Sequence, residues 1–186
     1  MLKKRLNRVS FCYDVAMKVT LRPSVTIDGY IADKNGECYS WINPDDETRY
    51  EAALKACGCE LVGRKTYEQY REDFDARTDV TTFIYTSQTH FNDTAKLKFV
   101  HGDPRKILAE IEKSGFAEVI VSGGGELNGL LASNGLIDEI HLSIHPIALN
   151  SGIKLFGSYE GKITLQYESS NTDVAGIIQA KYKVLM

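Results

Sequence analysis

From Met17 onward, the apolar positions alternate between a period near two and a period near 3.6, so strands and helices are predicted in alternation. Residues 18–27 read as a first strand that ends at the turn Asp28-Gly29. Asn43-Pro44-Asp45-Asp46-Glu47 opens a helix: Asn43 can cap it, Pro44 suits the first helical position, and the acids favour the positive end of the dipole. That helix is expected to reach about Ala56 and stop at Gly58. Residues 59–62 form a short buried strand, Gly63 a turn, and a second helix begins near Lys65. The run 81–86 (T-T-F-I-Y-T) is β-branched and aromatic, the composition of a strand.

Asp103-Pro104 starts a further helix with Ile107, Leu108 and Ile111 on one face and Gly115 just past its end. Residues 118–121 read as a strand, Gly123 to Gly125 as a turn, and Glu126 to Ser133 as a helix with Leu127, Leu130 and Leu131 inward. Ile140, Leu142 and Ile144 alternate with His141, Ser143 and His145, a strand with one apolar face. Two closing strands fall near 162–168 and 175–184. The expected fold class is α/β: three layers, a mixed and mostly parallel central sheet with helices on both faces, and antiparallel C-terminal strands.

Composition narrows this picture. A chain of 186 residues with 43% hydrophobic and 25% charged residues suits one globular domain. Residues 1–16 stand apart, with Lys3, Lys4, Arg5 and Arg8 against Asp14 and no apolar signal core. They are read as an extension outside the fold, and 17–186 as the domain. A net charge of −3 gives no general field for nucleic acid, and no apolar run approaches membrane-spanning length. Cys57 and Cys59 are too closely spaced for a zinc knuckle, so Cys12, Cys38, Cys57 and Cys59 are expected to be thiols in a reducing cytoplasm. His141 and His145 share a strand face but are expected to lie about 13 Å apart, too far for one ion. No metal is expected.

The segment V-I-V-S-G-G-G-E-L-N (119–128) carries the clearest chemistry. An apolar strand runs through Gly123, Gly124 and Gly125 straight into a helix. Backbone without Cβ atoms, at the positive end of a helix, suits a pyrophosphate. The alternative is a tight turn with no ligand, for which three glycines would be an unneeded entropic cost. Asn128 stands where the dinucleotide fingerprint has its third glycine, so this is not that motif. Gly63-Arg64-Lys65-Thr66 repeats the strand–glycine–helix plan with two cations at a helix start, against the usual dipole preference. A bound anion such as a cofactor 2′-phosphate would relieve that conflict; a solvated surface pair is the other reading.

These blocks together resemble the dihydrofolate reductase superfamily from Met17 to about Phe156. The G-R-x-T helix start appears as Gly63-Arg64-Lys65-Thr66, the T/S-S-Q strand end as Thr86-Ser87-Gln88, and the G-G-G turn as Gly123-Gly124-Gly125. The resemblance implies a dihydrofolate reductase-like fold that binds NADPH. Gly63, Arg64, Lys65 and Thr66 would meet its 2′-phosphate and pyrophosphate side, and Ser87 and Gln88 its adenosine. Gly123 to Gly125, Glu126 and Leu127 would hold the pyrophosphate, and Ser24, Ile31 and Ala32 would line the nicotinamide end.

Two branches of the superfamily compete. Trp41-Ile-Asn-Pro44-Asp-Asp46 fits the folate reductases' W-x-x-P-x-D, which implies that Trp41, Asp46 and Ser143 bind a heterocycle, with Asp46 also the catalytic group steering a proton; Arg71 and Arg77 are candidates for a folate tail. S-V-T-I-D-G-Y-I-A and N-G-L-I-D-E-I-H-L-S-I-H-P resemble instead the riboflavin-pathway reductases, the RibD C-terminal family. The favoured expectation is an NADPH-dependent oxidoreductase of the riboflavin-biosynthesis type, acting on a small heterocyclic substrate as a 5-amino-6-(5-phosphoribosylamino)uracil reductase does. A dihydrofolate or pterin reductase is the alternative, and a nucleotide-binding protein without catalysis a third. Riboflavin-branch domains often form homodimers, and I-I-Q-A-K-Y-K-V-L is the candidate interface.

Overall fold

The computed structural model describes residues 16–173 and 175–185; most of the basic N-terminal extension, including Cys12, lies outside them. Met17 is buried, and its amide and that of Ala16 both donate to Glu112 Oε1. In chain order the strands are β1 (Lys18–Leu21), β2 (Ser24–Thr26), β3 (Tyr30–Ala32), β4 (Cys59–Gly63), β5 (Thr81–Tyr85), β6 (Leu97–Val100), β7 (Glu118–Gly123), β8 (Glu139–His145), β9 (Ile153–Lys154), β10 (Thr164–Thr172) and β11 (Ile178–Leu185). The helices are α1 (Pro44–Cys57), α2 (Arg64–Gln69), α3 (Arg71–Ala76), α4 (Pro104–Lys113) and α5 (Gly125–Ser133).

Among the described residues, nine strands form one sheet in the order β10-β11-β8-β1-β7-β4-β5-β6, with β2 also against β8. Strands β8, β1, β7, β4, β5 and β6 run parallel to their neighbours, and β11 and β10 add an antiparallel edge. This is the mixed, mostly parallel α/β sheet with antiparallel C-terminal strands read from the sequence.

Both faces of the parallel strands are buried, which is why these strands are apolar at successive positions. Val119, Val121, Leu61 and Phe83 point to one face, where Ile107, Leu108 and Ile111 of α4 and Leu127 and Leu131 of α5 cover them. Ile120 points the other way, onto Leu54 of α1 and Val80. Val62 and Ile84 also face that side, beneath Tyr67 of α2 and Phe74 of α3.

The helix signals act as expected. Asn43 Oδ1 accepts from the Asp45 amide, and Gly58 ends α1 at φ 71° in the left-handed region. Asp103 caps α4 in the same way, and Gly115 follows it at φ 96°.

Three differences have physical causes. The strand expected over 18–27 breaks at Arg22-Pro23, where proline offers no amide hydrogen to the ladder; β1 and β2 then both run along β8. Helix α3 and strand β6, which no sequence reading anticipated, come from short segments with weak periodicity. Two polar positions of β8, Ser143 and His145, turn to the N-terminus of α1, where both contact Asp46, and His145 is buried. Among the described residues no helix is long and apolar enough to cross a membrane. Among the described residues no group of three His, Cys, Asp or Glu side chains is placed to hold a metal ion.

Leu54 is the apolar anchor of α1, with no exposed surface. Leu54→Ala is expected to lower unfolding free energy by about 2–5 kcal/mol, read as a lower urea midpoint at unchanged slope; a loss below about 1 kcal/mol would show that polar contacts alone hold the helix.

Candidate functional site

A cleft of about 910 Å³ opens where the parallel strands end and their helices begin, the position at which open α/β sheets take ligands. Its two glycine turns converge. Gly63 leads β4 into α2, and the first turn of that helix carries Arg64 and Lys65 with no acid and no side-chain cap. Gly123, at φ 96°, and Gly124, joined by a cis peptide, lead β7 into α5, which also lacks a side-chain cap. The first bond along α5 runs from the Asn128 amide to Gly124 O, so the amides of Gly125, Glu126 and Leu127 have no acceptor within the helix.

The Gly124 amide donates to Thr66 Oγ1 at 3.3 Å, tying one turn to the other. A Cβ on Gly125 would fall 2.5 Å from Lys154 O, so this approach admits only glycine. Arg64 pairs with Glu68, and Lys65 with Glu126 at 2.9 Å. The Lys65 pair is solvent-exposed and weak, so an anion could displace it. Asn128 is fully buried; its Nδ2 donates to Leu155 O, while its Oδ1 has no partner among the described residues.

Of the residues expected to bind a cofactor, Ser24, Ile31, Ala32, Gly63, Arg64, Lys65, Thr66, Ser87, Gly123, Gly124, Gly125, Glu126 and Leu127 line this cleft. Gln88 does not; its amide donates to Thr86 Oγ1 in the turn after β5.

Trp41, Asp46 and Ser143 do not line it either. Asp46 lies beneath the floor, buried at the start of α1. Its Oδ2 accepts from Ser24 Oγ at 2.8 Å and stands 3.0 Å from His145 Nε2. Its Oδ1 accepts from Ser143 Oγ and Gln179 Nε2, each at 2.8 Å, with Arg49 Nη2 at 3.4 Å. Burial works against the charge, yet His145, Ser143, Ser24 and Gln179 together hold this carboxyl well below the usual carboxylate range. Asp46 thus uses its acceptor sites within the protein, and Ser24 is the member of this network that lines the cleft. Trp41 stacks edge-on against His145 at 5.3 Å between centroids.

A second buried carboxylate, unnoticed in the sequence, does line the cleft. Glu60 on β4 has no exposed surface. Its Oε2 accepts from Arg77 Nη1 at 2.8 Å and Thr82 Oγ1 at 2.9 Å. Its Oε1 accepts from Tyr50 OH at 3.1 Å and from Ser122 Oγ. Burial and the nearby Glu60 charge push the Tyr50 phenol well above its ordinary value. Arg77 Nη2 is taken by Glu51 at 3.0 Å, so the guanidinium considered for a folate tail is already bound at both ends. The signal for Glu60 was an acid in the apolar strand C-E-L-V, where an unpaired charge could not remain.

Residues 17–179 match the family described as RibD C-terminal domain. Among solved structures, the fold is similar to a candidate riboflavin biosynthesis protein from Shewanella sp. PV-4, with a TM-score of 0.78 and 25% identity, covering 91% of this chain and 100% of that one. It is similar to the Thermotoga maritima diaminohydroxyphosphoribosylaminopyrimidine deaminase/5-amino-6-(5-phosphoribosylamino)uracil reductase (TM-score 0.76, 14% identity, 91% of this chain and 57% of that one). It is similar also to the Enterococcus faecalis dihydrofolate reductase complexed with NADP(H) (TM-score 0.65, 17% identity, 90% and 94%). At those last two identities the likeness is one of fold, and the fold is dihydrofolate reductase-like.

Because its folded-state value is depressed, Asp46 contributes stability that is complete above the unfolded carboxyl value of about 3.9 and is withdrawn as pH falls below it. Asp46→Asn is expected to cost about 3 kcal/mol at pH 7 and to flatten the acid limb of stability against pH, measured by urea unfolding from pH 7 to 2. Parallel acid limbs for the two proteins would remove Asp46 from that role.

Proposed function

The chain belongs to the RibD C-terminal domain family, and from that premise we propose that it is an NADPH-dependent reductase of the riboflavin-biosynthesis type, acting on a small heterocycle. The observation that carries the reading is the convergence of the two uncapped helix starts on one cleft, with Arg64 and Lys65 on one and Gly123 to Gly125 on the other. Those residues fit a dinucleotide: backbone amides for its pyrophosphate and two cations for an additional phosphate. Ser87 would stand at the adenosine end, and Ser24, Ile31 and Ala32 at the nicotinamide end. NADPH, when bound, supplies the hydride.

The protein then has to orient the substrate against that end, exclude water and manage one proton. Ser24 Oγ gives its proton to Asp46, so its lone pairs face the cleft as acceptors. Ser143, His145 and Gln179 hold Asp46 and thereby fix Ser24. The folate-reductase alternative is weaker here, since Asp46 does not line the cleft and Arg77 is already paired with two carboxylates, Glu60 and Glu51.

The proposal includes a homodimer. Every residue of β10 is exposed although the strand is nine residues long, and Leu165, Tyr167, Ile178 and Leu185 form apolar positions on the β10–β11 hairpin. A long apolar edge of this kind is normally covered.

Calorimetric titration tests the cofactor reading. NADPH is expected to bind more tightly than NADH, and Arg64→Ala to weaken NADPH about tenfold (about 1.4 kcal/mol) while barely changing NADH. Absence of binding by either nucleotide would end the proposal, and binding without turnover of any heterocycle would leave a nucleotide-binding protein. Light scattering tests the assembly: twice the chain mass is expected, falling to one chain in Tyr167→Glu, and a monomeric parent protein would remove the dimer.

A further inference from the structure

A second cavity, of about 600 Å³, lies between helices α2 and α3 and the chain that joins β5 to β6. Arg77 is the one residue that lines both this cavity and the cleft, and it stands between them. Its guanidinium is spent on the cleft side, on Glu60 and Glu51. None of the residues assigned to the cofactor lines the second cavity.

One wall is an aromatic column. Phe91 and Phe99 stack in parallel, with centroids 4.6 Å and planes 5° apart. Tyr67 sets its ring edge-on to both, at 6.3 and 5.5 Å. His90, which is exposed, lies on Phe91 at 4.3 Å with its ring tilted by 31°. Phe91 and Phe99 are only half-buried, so part of this aromatic surface remains to be covered.

The polar lining has a fixed sign. Asp75 is the acid of the cavity, and both its oxygens are engaged: Oδ1 accepts from Tyr67 OH and Oδ2 from Arg71 Nε, each at 3.2 Å. Arg77 is balanced from the cleft side and Arg71 by Asp75, which leaves the Lys96 charge with no carboxylate within 4 Å among the described residues. Asp93, on the same connection, is turned away to Lys98 and to the Phe99 amide. Thr94 Oγ1 accepts from the Lys96 and Leu97 amides, which leaves its own proton for another acceptor.

The geometry points to a second binding site, separate from the cleft, for a small planar aromatic ring that carries an anionic group. The ring would cover the exposed part of the aromatic column, and the anion would meet Lys96 with the Thr94 hydroxyl beside it. A neutral ring would leave the cation unpaired, and an anion without a ring would leave the column in water. The volume suits one or two fused rings rather than a dinucleotide. The site does not depend on the reductase reading, because it shares only Arg77 with the cleft.

Calorimetric titration of the full chain tests this with 2-naphthoate and with 2-naphthamide, which keeps the rings and loses the charge. One 2-naphthoate is expected per chain, bound about tenfold more tightly than the amide. Lys96→Glu should weaken the acid by about fivefold and leave the urea midpoint near that of the parent, since the Lys96 charge has no carboxylate partner in the fold. Phe91→Leu, which removes a ring and keeps an apolar side chain, should weaken acid and amide alike. Arg64→Ala, in the cleft, should change neither. Equal affinity for acid and amide, no heat of binding for either, or an unchanged affinity in Lys96→Glu would overturn the inference. So would loss of binding in Arg64→Ala or displacement of 2-naphthoate by NADPH, since either would put the acid in the cleft. The reductase reading is judged by the NADPH titration alone and is untouched by these outcomes.

Discussion

A carboxylate taken out of water must be surrounded by donors, and helix α1 is held to the sheet by two such groups. Asp46, in its own first turn, gathers Ser24 from β2, Ser143 and His145 from β8, and Gln179 from β11. One turn later Tyr50 reaches Glu60 on β4 and Ser122 on β7. The helix thus spans the sheet from its antiparallel edge to its parallel centre through directional contacts, with Leu54 supplying the apolar one. Apolar packing alone would tolerate sliding or rotation; these bonds fix both the height and the azimuth of α1. The cleft wall is accurate only because α1 cannot move.

The same arrangement divides the cleft chemically. On the side of α2 and α5, donors dominate: helix-start amides, Arg64 and Lys65. On the side of α1 and α3 the lining is acidic, with Glu47, Glu51, Glu60 and Asp73, and Arg77 is paired with two of these carboxylates. An anionic ligand group would be sorted to the first of these sides before any finer recognition acts. Electrostatic sorting of this kind requires no moving part, only buried charges whose partners are fixed.

The elements that recur in sequence were legible there, because each depends on local chemistry. Asn43 and Asp103 cap, Gly58 and Gly115 terminate, and Gly123 to Gly125 allow strand and helix to meet in a turn without side chains. Most of the wall made by the two glycine turns was legible for that reason: its residues are consecutive, so their grouping needs no tertiary knowledge. The cluster around Glu60 was not. Tyr50, Glu60, Arg77 and Ser122 come from separate segments, and only the sheet order β7-β4-β5 brings them together. Asp46 was found but most of its surroundings were not, because His145 and Gln179 lie about a hundred residues or more beyond it in the chain.

The contrast between the two buried acids shows why finding a residue does not fix its role. Both are buried, and both accept from several donors. What differs is the residue between the acid and the cavity. Beside Asp46 stands Ser24, a small cleft-lining side chain, so the acid's influence reaches the cleft through one hydroxyl. Above Glu60 stand Tyr50 and Ser122 together, at the end away from the cations, so its influence reaches the cleft as a patterned surface. A sequence search for catalytic carboxylates ranks Asp46 first because it sits in a recognisable motif. Glu60 sits in no such motif, yet a buried carboxylate acts over the distance of its own hydrogen bonds, and there it has two cleft-lining hydroxyls to orient.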